Sequence, residues 1–188
     1  MGDPKKLKKK YSRPSHPWQK ARIDEENTLT KEFGFKNKKE IWKLSSLLTN
    51  YGEQAKKLTA LKTKQAAVEK KQLLDRLHIL GLLNKGAQLE DVLTLTLKNI
   101  VERRLQTLVL KQGLARTVNQ SRQFITHGHI TVNNKVITSP SCLITIADEK
   151  NIAFVSSSTL SSKDHPERTV IKSKGKVKKV HKKDEQRK

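Results

Sequence analysis

The chain has 188 residues, a formal net charge of +22 and an isoelectric point of about 10.2, so its surface is strongly positive at any physiological pH and suits a polyanionic partner. Hydrophobic residues make up 34% and aromatic residues 4%, less than a globular domain of this length ordinarily spends on its interior, so a core is expected over only part of the chain. No apolar run approaches a bilayer span, and MGDPKKLKKK has neither the apolar segment nor the cleavage site of a secretory signal, which predicts a cytoplasmic protein with no membrane association.

The first 22 residues hold eight Lys or Arg against one acid, and YSRPSHPW, with two prolines, reads as an extended arm that does not enter a helix. Two amphipathic helices follow. Ile41, Leu44, Leu48, Tyr51, Ala55 and Leu58 recur at three- and four-residue steps, as do Leu73, Leu77 and Leu80, and Gly81 with Asn84-Lys85-Gly86 turns the chain. A third helical stripe through VLTLTLKNIVERRLQTLVL is expected to run unbroken to a left-handed cap at Gly113. Thr117-Val118-Asn119-Gln120 fits a capping box for the next helix, which carries Val118, Phe124 and Ile125 inward and stops at Gly128. HITV and KVIT then form a hairpin about Asn133-Asn134, and SCLITIAD and NIAFV read as further strands around DEK. Residues 163–188, with eleven basic residues against four acids and no hydrophobic period, are expected to be disordered in isolation and to order on nucleic acid. The predicted class is α+β: a basic extended arm (1–22), a helical domain (23–99), a compact helix-helix-hairpin module (100–160) and a basic tail (161–188).

The corner SRQFITHGHITVNNK concentrates the candidate chemistry. Free amides and the helix dipole beyond Thr117 favour an anion, with Arg116 just before and Arg122 one and a half turns after. Arg122 offers a planar fork that grips phosphate with two bonds, whereas Lys111 and Lys135 act as point charges. Gly128 admits close approach of a sugar or backbone, with His127 and His129 as donors or stacking faces beside it.

ERRLQTLVLKQGLA, then SRQFITHGHITVNNK and SPS, closely resembles the RNA-binding module named after ribosomal protein S4 over Val101 to about Leu143. The arm PKKLKKKYSRPSHPW and the helix IWKLSSLLTNYGEQAKKL resemble the archaeal and eukaryotic branch of that ribosomal family, which extends the likeness from Pro4 to about Val155. The resemblance implies a primary binder of small-subunit rRNA that docks on a multi-helix junction of the 5′ domain, lies near the mRNA entrance beside neighbouring ribosomal proteins, and contributes to subunit assembly and translational accuracy. Its RNA face on this chain is expected to include Arg103, Arg104, Lys111, Arg116, Thr117, Gln120, Arg122, Gln123, His127, Gly128, His129, Asn133 and Lys135, with Lys8, Lys9, Arg13 and Trp18 from the arm. Cys142 stands where the family commonly has an aromatic residue after Pro-Ser, and the arm lacks the zinc-binding cysteines of some bacterial relatives, so no metal is implied.

Nothing in the sequence points to an enzyme, a cofactor or a small-molecule substrate. His127, Gly128, His129 and Cys142 fall short of a four-ligand zinc pattern, and the glycine of His127-Gly128-His129-Ile130 ends a helix where an adenylate-binding signature would start one. Glu90-Asp91 and Asp148-Glu149 read as helix-start and turn residues, and Cys142 as a small buried hydrophobe. An RNA-modifying enzyme would need a catalytic domain for which the lysine-rich helical residues leave no evident room. A free RNA chaperone or translational repressor would use the same surface.

Overall fold

A computed structural model describes residues 2, 9–162 and 165–167. The expectation for the tail therefore falls largely outside the described residues, as does Lys8. Residues 9–18 form no helix or strand, as the prolines require. They track the next helices instead: the Ser12 amide donates to Ser46 Oγ at 3.0 Å, and the Tyr11 and Trp42 rings lie 6.1 Å apart.

Helix α1 (Lys20–Phe33) ends at Gly34, α2 spans Lys38–Ala60, and α3 (Lys64–Ile79) begins at Thr63, whose side chain accepts from the Ala66 amide. The inward faces of α2 and α3 are the periodic residues: Tyr51, Ala55, Leu73 and Leu77 are buried with Leu89, Val92 and Leu95 of the following segment. A second cluster joins Phe33, Phe35, Ile41 and Leu44 to Ile100 and Val101. Helix α1 has no clean apolar stripe, because one of its two buried residues is Glu26.

The expected unbroken helix through residues 92–110 is three short ones, α4 (Leu89–Leu93), α5 (Leu97–Glu102) and α6 (Leu105–Lys111). The second break is made by tertiary pairing. Arg104 takes extended dihedrals (φ −71°, ψ 142°) and bridges Leu143, while the Leu105 amide donates to Cys142 O at 2.8 Å and the Ile144 amide to Arg103 O at 3.0 Å. The two flanking helices thus turn different faces inward, Ile100 and Val101 to the helical half and Leu105, Leu108 and Val109 to the module.

Helix α7 (Val118–Thr126) packs on α6 through Ser121, whose buried hydroxyl donates to Gln106 O at 2.6 Å. Among the described residues, β1 (Ile130–Val132), β2 (Lys135–Val136) and β3 (Ile152–Phe154) form one antiparallel sheet in the order β2-β1-β3. Asn133 (φ 50°) and Asn134 (φ 60°) make the tight β1-β2 turn, as their tolerance of left-handed dihedrals predicts. SCLITIAD corrects the strand expectation. Leu143 makes only an isolated bridge, and Ile146–Glu149 is a helical turn, α8, because Thr145 Oγ1 caps it by accepting from the Asp148 amide. The module core gathers Leu105, Val109, Ile125 and Ile130, each with no exposed surface, and each such side chain contributes roughly 1.5–3 kcal/mol on burial. The class is α+β.

Candidate nucleic-acid interface

Helix α7 starts much as its sequence predicts. Thr117 Oγ1 accepts from the Gln120 amide at 3.2 Å, and Gln120 Oε1 reaches back to an amide, though to that of Arg116 (2.7 Å), one residue earlier than in the ordinary capping box. With Ser121, Phe124 and Ile125 buried, the helix leaves Arg116, Asn119, Gln123, Thr126 and His127 exposed at helical spacing. Gly128 closes the helix at φ 74°, and a side chain built there would lie 3.5 Å from Val136 Cγ1, which sets β2 and its exposed Lys135 beside the end of α7. His127 is exposed and stacks on His129 (6.2 Å, 8° between planes), which is partly buried with Nδ1 3.0 Å from Ser158 Oγ.

The described part of the tail folds back on this helix start. Arg116 donates to Pro166 O, and Gln120 Nε2 donates to the Glu167 carboxylate at 2.8 Å. An anionic group does lie beside the first turn of α7, and it is the chain's own.

Several expected RNA ligands make bonds within the protein. Arg104 has no exposed surface: its Nη2 donates to Glu40 Oε2 at 2.8 Å, and its guanidinium lies 4.3 Å from the centre of the Phe35 ring. Its guanidinium is thus engaged by that carboxylate and ring at the wall of the cleft between the arm, α2 and the module. Arg122 turns its fork onto the same carboxylate, Nη2 to Oε1 at 2.8 Å and Nη1 to Oε2 at 3.3 Å, and its side chain is 22% exposed. Burial pushes the Glu40 carboxyl up, but the bonds and charges of Arg122 and Arg104 outweigh it and hold the group below the usual carboxylate range. Arg103 is tied to Glu149 Oε2 at 2.8 Å and to Ile144 O at 3.1 Å. Lys111 pairs with Glu102 at 2.6 Å with both side chains about half exposed, a geometry that water and salt weaken readily. Asn133 spends its side chain on Asp148 and Asn151, locking the hairpin turn.

A cleft of about 1140 Å³ opens where the arm, α2 and the module meet. Lys9, Lys10 and Lys43 line it together with Arg122, Arg104, Glu40, Ser12, Ser46, Asn50, Pro140 and Ser141. Sequence reasoning placed Lys9, Arg104 and Arg122 among the RNA ligands but not Lys43, which lies on the outward side of a helix with no motif to mark it. Arg13 is exposed on the arm, and Trp18 is 90% exposed.

No group of three or more His, Cys, Asp or Glu able to hold a metal occurs among the described residues, and no helix there is long and apolar enough to cross a membrane. Cys142 packs half-buried against the module core, and burial, with Asp148 adding to it, pushes its thiol pKa up, the opposite of an activated nucleophile.

A family model described as the S4 domain matches residues 103–149, the segment from the α5-α6 break to the end of α8. The small ribosomal subunit protein uS4 of Methanococcus maripaludis strain C7 is 47% identical over 170 residues, covering 90% of this chain and 96% of that protein. The chain belongs to the uS4 family. The uS4 protein of Methanococcus aeolicus strain Nankai-3 is 48% identical over the same shares of each chain, so this membership extends well beyond the S4 domain to most of the chain.

Proposed function

We propose that the chain is a structural, non-catalytic constituent of the small ribosomal subunit in the cytoplasm and binds small-subunit rRNA. One observation carries this reading beyond family membership: Asn119 and Gln123 on α7, with Arg116 before it and His127 at its end, form an exposed row that continues to Lys135 on β2, within the matched S4 domain, Arg116 also donating to Pro166 O. Polar and cationic side chains on a rigid helix face suit recognition of RNA by its sugar-phosphate contour, where phosphate contacts set position and affinity. The basic cleft beside Lys9, Lys10 and Lys43 extends that surface across the arm and α2. On this reading Arg103, Arg104 and Arg122 hold the domains in register, and the contacts fall to Arg116, Thr117, Gln123, His127, Lys135, the arm lysines, Arg13 and Trp18. The chain divides into an arm (1–22), a helical domain (23–99), the module (100–160) and a tail (161–188); separate hydrophobic clusters on either side of the α5-α6 break support a helical half and a module, with Ile100 and Val101 packing on the helical side of it. The finer placement, a multi-helix junction of the 5′ domain near the mRNA entrance and its neighbouring proteins, with a part in assembly and accuracy, belongs to the same proposal.

Sedimentation of a lysate through a high-salt gradient tests it. The protein is expected to stay with small subunits, and recovery only among free RNAs would overturn ribosomal residence in favour of a chaperone or repressor.

A further inference from the structure

Trp18 is the most exposed large apolar side chain of the described residues, at 90%, and it is held there by a built clamp. Arg22 Nη2 donates to the carbonyl oxygens of His16 (3.1 Å) and Pro17 (2.7 Å), fixing the turn immediately before the indole. Its Nη1 is anchored on Glu26, which is itself buried and also accepts from Trp42 Nε1 at 3.0 Å. A turn restrained by proline, by two bonds from one guanidinium and by a buried carboxylate does not leave an indole in solvent by slackness of the chain.

We propose that Trp18 is a preorganised stacking platform for an unpaired nucleobase of the bound RNA, an inference that rests on the RNA reading above. The setting favours a base over a protein partner. The other large exposed apolar residues, Leu61, Val68, Ile79, Leu93, Val136 and Ile146, all lie outside the arm and α1, so Trp18 stands in no apolar patch of its own segment, whereas protein hot spots cluster in desolvated apolar surroundings. Its segment carries eight Lys or Arg against one acid over residues 1–22, charge that neutralises phosphates on either side of a stacked base. Every base has a π-face, so such a platform needs no hydrogen-bond readout, and one stacked base is worth about a tenfold change in affinity.

The test uses the full-length protein, Trp18→Phe and Trp18→Leu, with a transcribed 5′-domain fragment of small-subunit rRNA, following binding by filter retention and by tryptophan emission. The expected result is that RNA quenches the parent's emission, that Trp18→Phe binds nearly as the parent does but loses that component of quenching, and that Trp18→Leu binds about tenfold more weakly. Since the indole is exposed, neither variant should alter folding. Saturating binding with unchanged Trp18 emission would overturn the stacking while leaving RNA binding intact. Shielding of Trp18 in intact small subunits but not by the bare fragment would overturn it in favour of a protein contact. Failure of the parent to bind the fragment at all would remove the RNA reading itself and this inference with it.

Discussion

Glu40 accepts from Arg104 at 2.8 Å and from both terminal nitrogens of Arg122, so a single carboxylate on α2 compensates two guanidinium groups of the module. Removing one partner of such a set strands charge away from water, and Glu40→Ala is expected to cost roughly 3–5 kcal/mol in urea unfolding. The pH dependence has a definite sign. A carboxyl held below its unfolded value stabilises the fold at neutral pH and loses that contribution as the pH falls through its folded value. The stability gap between the parent and Glu40→Ala should therefore narrow in acid; a gap constant through the carboxylate range would contradict the pairing. This arrangement was not legible in the sequence. Arg122 lies 82 residues from Glu40 and Arg104 lies 64, and nothing in an RRLQ or SRQ motif says whether its arginine faces phosphate or a carboxylate brought in by folding. Trp18, in a basic arm without hydrophobic period, and Lys135, directly after the Asn133-Asn134 turn, were easier to place at the surface.

Between elements, Gly34 is the most tightly surrounded glycine among the described residues. It caps α1 at φ 61°, and a side chain there would lie 2.7 Å from Val118 Cγ1 at the start of α7, while Gln106 Nε2 donates to Gly34 O (3.4 Å) and Val118 O (3.0 Å). Gly86, at φ 84°, faces open space. Both Gly→Ala changes pay the left-handed penalty of about 1–2 kcal/mol, and Gly34→Ala should lose a further ~1–3 kcal/mol to overpacking. Equal losses in paired urea titrations would contradict the view that Gly34 sets the helical half against the module. Elements with a local cause were readable from sequence: the periodic stripes of α2 and α3, the Thr117 cap and the Asn133-Asn134 turn. The break between α5 and α6 was not, because Leu97 to Leu108 keep helical spacing and only pairing with residues 142–144 forces Arg104 out of the helix. Helix α8 was misread as strand for a related reason, since Ile144-Thr145-Ile146 alternates in the pattern of a strand while Thr145 caps a turn.

For the whole molecule, family membership and the α+β class follow from motifs that run nearly the length of the chain, whereas the internal pairs of Arg103, Arg104 and Arg122, on which the proposed RNA face depends, exist only once the chain has folded. The proposed face is a directed one, the exposed residues along α7 with Lys135, set on a chain whose net charge of +22 would by itself attract any RNA. The difference between a directed surface and diffuse charge is measurable. Arg116→Glu with Lys135→Glu should be compared with Lys70→Glu and Lys71→Glu on α3, which alter net charge identically, by titrating a 5′-domain rRNA fragment over a range of salt concentrations. The α7-β2 pair is expected to weaken binding far more at every salt concentration and to flatten the dependence on log salt by about two contacts, while the α3 pair leaves the slope nearly unchanged. Equal losses from the two pairs would contradict a directed RNA face and leave only charge.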